Sequence, residues 1–405
     1  MEPGKILVAD LDEQRVIGDE ELKKVICSRL PYGNWLQESR VHIDDLPAQA
    51  SDEASSVIPL ILRQTAHGYT LEDEELIIDG MLRAKKDPIG SMGADVPLAV
   101  LSRYAQHIST YFRQQFAQVT NPPIDSLREA EYMTLKTVLG SSSNILDRTH
   151  NTVKFIRLES PVLDADSYYK LKHIDLAGYQ GVTIDCTFSK DNKSGDLEAT
   201  LTEICNQAQV AIEKGANLIY LDNISNVSDQ HAPVPSLLST GAVHHYLVNQ
   251  GLRQKASILV KGGDILETHH FATLLGYGAD AIYPELSYES IEAIYNRGKL
   301  DNEYGIKHYK KIYIKAVNKG LLKIMSKLGI STVASYRGAQ AFEALGISSE
   351  VVDKCFKGTV SRIEGMTFDM LAKEALTKHR VAFEDELQNE LIDLGVYQWL
   401  SLIHI

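Results

Sequence analysis

Gly181–Phe188 (GVTIDCTF), Asn217–Asn223 (NLIYLDN), Ala256–Gly263 (ASILVKGG) and Asp280–Leu286 (DAIYPEL) are short runs rich in β-branched and aliphatic residues. Between them lie Asp196–Lys214, Pro235–Gln254 and Ile265–Leu275, whose apolar residues recur at helical spacing. Strand, helix, strand repeated in this way makes a parallel sheet, because a parallel neighbour is reached only through a crossover connection. The pattern predicts an α/β fold of parallel β/α units, a barrel or a partial barrel. Ser331–Tyr336 (STVASY) reads as one more strand.

Upstream the pattern changes. From Asp19 to about Asn144 helical spacing dominates, broken by proline-containing loops at Asp87–Pro97 and Thr120–Asp125. One helix is predicted from Leu71 to Lys86, opened by Thr70 with the carboxylate of Asp73 three residues on. A mostly helical N-terminal layer packed on the α/β part follows. Downstream, Lys307–Lys315 (KHYKKIYIK) reads as the solvated start of a further helix.

With 405 residues there is ample length for a core and room for more than one domain, and 44% hydrophobic with 23% charged residues is ordinary for globular chains. The net charge of -13 argues against nucleic acid as a partner, since a phosphate binder needs unopposed clusters of Lys and Arg. Cys27, Cys186, Cys205 and Cys355 show no CxxC spacing, so neither a metal knuckle nor a disulfide framework is expected. Free thiols in a reducing cytosol are the economical reading. No apolar run is long enough to span a membrane, and no metal site is expected.

In parallel α/β folds the chemistry gathers at the carboxyl ends of the strands. Those ends carry Asp185, Asp222 with Asn223, Lys261 before Gly262-Gly263-Asp264, and Glu285. A lysine among carboxylates suits proton transfer or Schiff-base chemistry, and the same residues suit helix capping. The pairs His244-His245 and His269-His270 do not chelate as HExxH does, because neighbours on a helix point about 100° apart, and they read as buried or interfacial histidines. Lys261-Gly262-Gly263 lacks the spacing of a phosphate loop.

Two loops carry stronger signals. Pro88-Ile89-Gly90-Ser91-Met92-Gly93 sets glycines around a serine and a flexible thioether, so its backbone can approach a flat ligand closely. Gln118–Asp125 (QVTNPPID) fixes Thr120 and Asn121 ahead of two prolines, as a rigid polar loop lining a site or channel does. On residue type alone, both are equally good domain-packing loops.

Four phrases, Pro88–Ser102 (PIGSMGADVPLAVLS), Gln114–Arg128 (QQFAQVTNPPIDSLR), Leu237–Gly251 (LLSTGAVHHYLVNQG) and Gly320–Phe342 (GLLKIMSKLGISTVASYRGAQAF), together with Gly4–Leu46, resemble the large subunit of glutamate synthase in family order along nearly the whole chain. In that family a glutaminase domain releases ammonia, which passes through a tunnel to a flavin barrel where 2-oxoglutarate is aminated and reduced. The resemblance implies that residues 1–300 are the central domain, with a mainly helical part over 1–145 and a β/α part over 146–300. Residues 301–399 then begin the FMN-binding synthase domain. It further implies that Ser91, Met92 and Gly93 reach the FMN and 2-oxoglutarate site, and that Thr120 and Asn121 lie at the ammonia tunnel or domain junction. No catalytic residue is implied within this chain.

FMN and an iron–sulfur cluster are the implied cofactors of the full-length enzyme, with their main binding elements outside this chain. The implied partners are 2-oxoglutarate, ammonia, the glutaminase and FMN domains of the same polypeptide and a small NAD(P)H-oxidising subunit, all in the cytoplasm. The sequence departs from the family at Ala94, Val96 and Tyr283-Pro284-Glu285. Met1 reads as an internal methionine and Leu400–Ile405 (LSLIHI) as the translation of a sequencing adaptor, with Ser401–Ile405 expected to make no buried contact. Two other readings compete: a non-catalytic scaffold that binds a flavoprotein, and an autonomous barrel enzyme in which Lys261, Asp185 and Asp222 converge.

Overall fold

The computed structural model describes residues 3–49, 57–88, 97–115, 123–142, 144, 146, 154–191, 193–301, 303–384 and 390–394. Its centre is a parallel sheet of strands β1 (Gly181–Asp185), β2 (Leu218–Asp222), β3 (Ser257–Lys261) and β4 (Ala281–Tyr283). The strands lie in chain order, β4-β3-β2-β1, so every neighbour is reached by one crossover and the order never reverses. Sequential order is the arrangement of a barrel wall rather than of a doubly wound sheet. Among the described residues the wall does not close. The outer edge of β4 is covered by Pro161–Leu163, where Val162 pairs with Ile282.

The helix α1 (Leu60–Ala66) belongs to the N-terminal layer, and α2 (Ala165–Lys172) precedes the sheet. The crossovers are α3 (Asp196–Glu213), α4 (Ser236–Asn249) and α5 (Thr268–Gly276), followed by α6 (Glu285–Asn296), α7 (Ile306–Leu328) and α8 (Phe368–Phe383). Register assigns the two faces. Ile219, Leu221, Ile258, Val260 and Ile282 share one face, while Tyr220, Asp222, Lys261 and Tyr283 share the other, as the twofold period of a strand requires. On the second face α2 closes the sheet: the Tyr168 ring stacks on Tyr283 at 4.4 Å and meets Tyr220 edge-on at 6.0 Å. Gly181 is needed here, since a Cβ would stand 2.7 Å from the Tyr220 ring. One apolar core runs from Ile43 to Leu391.

The α/β expectation holds, with a partial wall of parallel β/α units. Observed crossover helices match the predicted ones closely at their starts, and Lys307–Lys315 does open a helix. Thr70 caps the helix predicted from Leu71, with Asp73 returning a carboxylate to the Thr70 amide at 2.9 Å. Its turns over Asp73–Ile78 are wound as a π-helix before α-helix resumes to Ala84. Two readings are corrected. Ser331–Tyr336 is not a strand but a helical turn over Val333–Tyr336, because Thr332 accepts the Ser335 amide at 3.3 Å and starts a helix. The helical pattern upstream holds to Ala84 apart from the strand Arg40–His42; beyond Ala84 the described residues form short 3-10 turns and the strands Phe112–Gln114 and Thr137–Leu139.

Candidate functional site

The sheet register sets Asp222, Lys261 and Tyr283 side by side at the carboxyl ends of β2, β3 and β4. Lys261 Nζ donates to Ser225 Oγ at 2.8 Å, lies 3.0 Å from Glu285 Oε2 at the start of α6, and sits 3.6 Å from Asp222 Oδ2. Asp222 is already engaged in a turn: Oδ1 accepts the amides of Ile224 and Ser225 at 3.0 and 2.9 Å, and Oδ2 accepts the Ser225 hydroxyl at 2.7 Å. Asp222 is therefore cap and counterion together. Asp185 pairs in register with Asp222 but lies exposed on edge strand β1. The trio required of an autonomous enzyme does not assemble; Glu285, not Asp185, completes the cluster.

Burial pulls the Lys261 ammonium toward lower pKa, but Asp222 and Glu285 outweigh it and hold the group above the ordinary lysine value. A Schiff-base lysine must be a free amine, so this lysine is a fixed charge rather than a nucleophile. Burial also raises Glu285, against the opposing pull of Lys261. The cluster forms the floor of a cleft of ≈ 860 Å³. Arg63 of α1, bound by both oxygens of Glu289, and Lys310 of α7, paired with Glu292, form its walls.

Beside the cleft Asp264 organises a second polar cluster. Its Oδ2 accepts the Ser236 amide at 2.9 Å at the start of α4, and its Oδ1 accepts from Asn223 Nδ2 at 3.1 Å and from the Ser236 hydroxyl. The turn Lys261-Gly262-Gly263 is filled: Cβ atoms at its glycines would strike Ile265, Ser236 and the His67 ring. This turn offers no cradle for a phosphate. Sequence reading missed Ser225, Arg63 and His67. The Asp222-x-x-Ser225 spacing was a findable turn signal, whereas Arg63 and His67 are brought in by tertiary packing alone.

The histidine pairs are packing residues. His269 Nε2 lies 2.8 Å from the Ser109 carbonyl, the His270 ring stacks on His107 at 3.8 Å, and His244 accepts from Arg253 at 3.0 Å. Among the described residues no cluster of three or more metal-type side chains occurs. Burial pulls His107 and His245 down to about 4 and His244 down to about 3. His67, His269 and His270 are lowered too, again by burial. Folding with neutral histidines is favoured above their ordinary value, and that contribution is lost as pH falls from about 6.5 toward the folded values. Burial raises Asp73 to about 6 and Glu267 to about 7, which works the opposite way over the same window. Burial raises Asp87, Glu285 and Glu374 as well but less, and six histidines outweigh the five carboxylates, so the urea midpoint is expected to fall between about pH 7 and about pH 5. A midpoint that rises on acidification would contradict this balance.

Ser91, Met92, Gly93, Thr120 and Asn121 lie outside the described residues, as does Ser401–Ile405. The residues flanking the two loops are described. Thr268 donates to Asp87, and a Cβ on Gly320 would strike the same carboxylate. Val100 occupies the space beside Gly346, the Gln115 amide donates to the Ala341 carbonyl at 2.8 Å, and Pro123 would meet a Gly329 Cβ at 3.1 Å. All four stems therefore lie close to the segment 320–346, Gln115 being hydrogen-bonded to it and Asp87 to Thr268 beside it.

Fold and cluster together define an open parallel α/β domain whose charged side chains are closed into ion pairs. Residues 62–348 match the model of the glutamate synthase central domain, and the chain belongs to that family. It is 43% identical over 399 residues to the glutamate synthase (NADPH) large chain of Bacillus subtilis (strain 168), covering 98% of this chain and 26% of that one. It is 38% identical over 407 residues to the ferredoxin-dependent glutamate synthase of Pyropia yezoensis, covering 98% and 26%. The chain thus spans about a quarter of the length of these relatives. The recombinant flavin-binding domain of baker's yeast flavocytochrome b2 aligns with a TM-score of 0.36 at 10% identity over 82% of this chain and 98% of that one, too loose a likeness to add to the assignment.

Proposed function

We propose that this chain is the central segment of a glutamate synthase, residues 1–300 joining the glutaminase and FMN sites and residues from 301 leading into the FMN domain. In this reading it lines the path of ammonia and completes the FMN and 2-oxoglutarate site with the Ser91-Met92-Gly93 loop, while Thr120 and Asn121 sit at the junction. The reading is supported by the family match and by the loop stems: Asp87, Val100, Gln115 and Pro123 all lie close to one strip of chain, so both loops start from neighbouring places. A loop so placed can hold a contact in place at a reacting centre, which is what positioning requires.

The N-terminal arm fits the same role. Helix Asp19–Cys27 buries no residue, and Leu7, Leu11, Val16 and Leu36 of the same N-terminal stretch are exposed, apolar surface suited to a neighbouring domain of the same polypeptide. FMN and the iron–sulfur cluster belong to other parts of the full-length enzyme, as do the glutaminase nucleophile and the contact with a small NAD(P)H-oxidising subunit. A cytoplasmic enzyme is consistent with buried free thiols at Cys186, Cys205 and Cys355 and with no described helix long and apolar enough to cross a membrane.

The test is Met92→Ala in the full-length enzyme carrying this segment. Glutamine-dependent glutamate formation is expected to fall by about ten- to a hundredfold, because small misplacements at a reacting centre cost rate, while glutamine hydrolysis and the thermal midpoint stay close to wild type. If Met92 only packs, both activities fall together with a lowered midpoint. Unchanged synthase turnover would remove the loop from the site.

A further inference from the structure

The cleft above Lys261 has no part in the loop reading, and its chemistry can be read separately. It opens at the carboxyl ends of the parallel strands, where α/β sheets bind ligands, and its ≈ 860 Å³ lies within the usual range for small-molecule sites. Its lining carries three cations, Arg63, Lys261 and Lys310, and three carboxylates, Glu285, Glu289 and Glu292. Asp222, directly beneath Lys261, adds a fourth carboxylate. An anion therefore meets a site already one negative charge in excess. The Lys261 protons are also directed to Ser225, Glu285 and Asp222, not to the opening.

The carboxylates are unequally used. Glu289 has both oxygens on Arg63, whereas Glu285 and Glu292 each hold a lysine through one oxygen and, among the described residues, keep the second free of an ion pair. Three tyrosines border the cleft, each at most 4% exposed. Tyr283 lies 6.4 Å from Tyr169 and 5.8 Å from Tyr288 between ring centroids, and all three line the cleft. One ammonium already rests on this surface: Lys310 Nζ lies 5.6 Å from the centre of the Tyr288 ring.

We propose that this cleft is a binding site for a small organic cation carrying a primary ammonium group, held by Glu285 and Glu292. The carboxylates accept the ammonium protons, and the half-buried apolar lining at Leu60 and Ala293 takes its stem.

Isothermal titration of the 405-residue chain with n-butylamine hydrochloride, and in parallel with sodium butyrate, tests this. The expected result is saturable single-site binding of the amine and none of the carboxylate. Glu285→Gln weakens amine binding by about tenfold or more, the scale of a hydrogen bond to a charged group. Glu292→Gln, on the open side of the cleft, weakens it in the same direction and keeps the test decisive if Glu285→Gln does not fold. Absence of saturable amine binding, equal binding of butyrate, or wild-type affinity in the folded variants overturns the assignment.

Discussion

Asp280→Ala is expected to destabilise the chain by about 3–5 kcal/mol, the scale seen when one partner of a buried ion pair is removed. Asp280 is 2% exposed at the amino end of β4, where its Oδ2 accepts Arg253 Nη2 and the Ile258 amide, both at 2.8 Å. Its Oδ1 takes Arg337. Burial alone would raise this carboxylate's pKa, but Arg253 and Arg337 hold it below the ordinary value, so it stays charged in the fold. Truncation leaves two largely buried guanidinium groups and a sheet amide without their acceptor. Arg253 ties the turn before β3 to Gly278 and Ala256, so that end of the sheet loosens with it. Urea unfolding of wild type, Asp280→Asn and Asp280→Ala measures the effect. A loss under about 1 kcal/mol for alanine would show that the two arginines find other acceptors.

Gly241→Ala is expected to be the second costly change. Gly241 lies in the middle of α4, where a methyl group would collide with the backbone carbonyl of Cys355 and stand 3.0 Å from the Phe356 ring. A backbone carbonyl cannot rotate away as a side chain can, so the helix Ser349–Cys355 must shift as a body. Overpacking of this kind costs roughly 1–3 kcal/mol or more, set against the roughly 1 kcal/mol that alanine gains over glycine within a helix. Gly33→Ala is the control, in helix Tyr32–Ser39 with nothing within 4 Å of the added Cβ. The control should be neutral or stabilising while Gly241→Ala loses stability. Equal midpoints for the two variants would contradict the close approach of the helices.

The parallel wall was legible because β2, β3 and β4 are fully buried runs and α3 and α5 keep a helical period. Leu218–Asp222 and Ser257–Lys261 are buried at every residue, the mark of a strand covered on both faces. Ser331–Tyr336 misled because β-branched residues also stand at helix starts, and Thr332 caps the turn there. The stretch after Ala84 misled because apolar residues at helical spacing, such as Ile108, Tyr111 and Phe112, are buried instead from a 3-10 turn and a short strand.

At the strand ends, Lys261, Asp222 and Glu285 were readable as a set. Whether Asp185 joined them depended on β1 being the sheet edge, which strand order decides and local sequence does not encode. Arg63, Lys310 and His67 enter the polar clusters from elements far along the chain, so no spacing rule reaches them. The loops around Met92 and Thr120 were legible as phrases, and what the fold adds is that their stems all lie close to 320–346.

The central claim is that this chain does the work of a glutamate synthase central segment. Its most direct test replaces the corresponding segment of the Bacillus subtilis large chain, to which it is 43% identical, with residues 4–399 of this chain. Glutamate formation from glutamine and 2-oxoglutarate is then assayed beside glutamine hydrolysis. The account predicts that the chimera keeps both activities and that they stay coupled, with little free ammonia released. A folded chimera that hydrolyses glutamine but forms no glutamate, or that loses its ammonia to solvent, would contradict it.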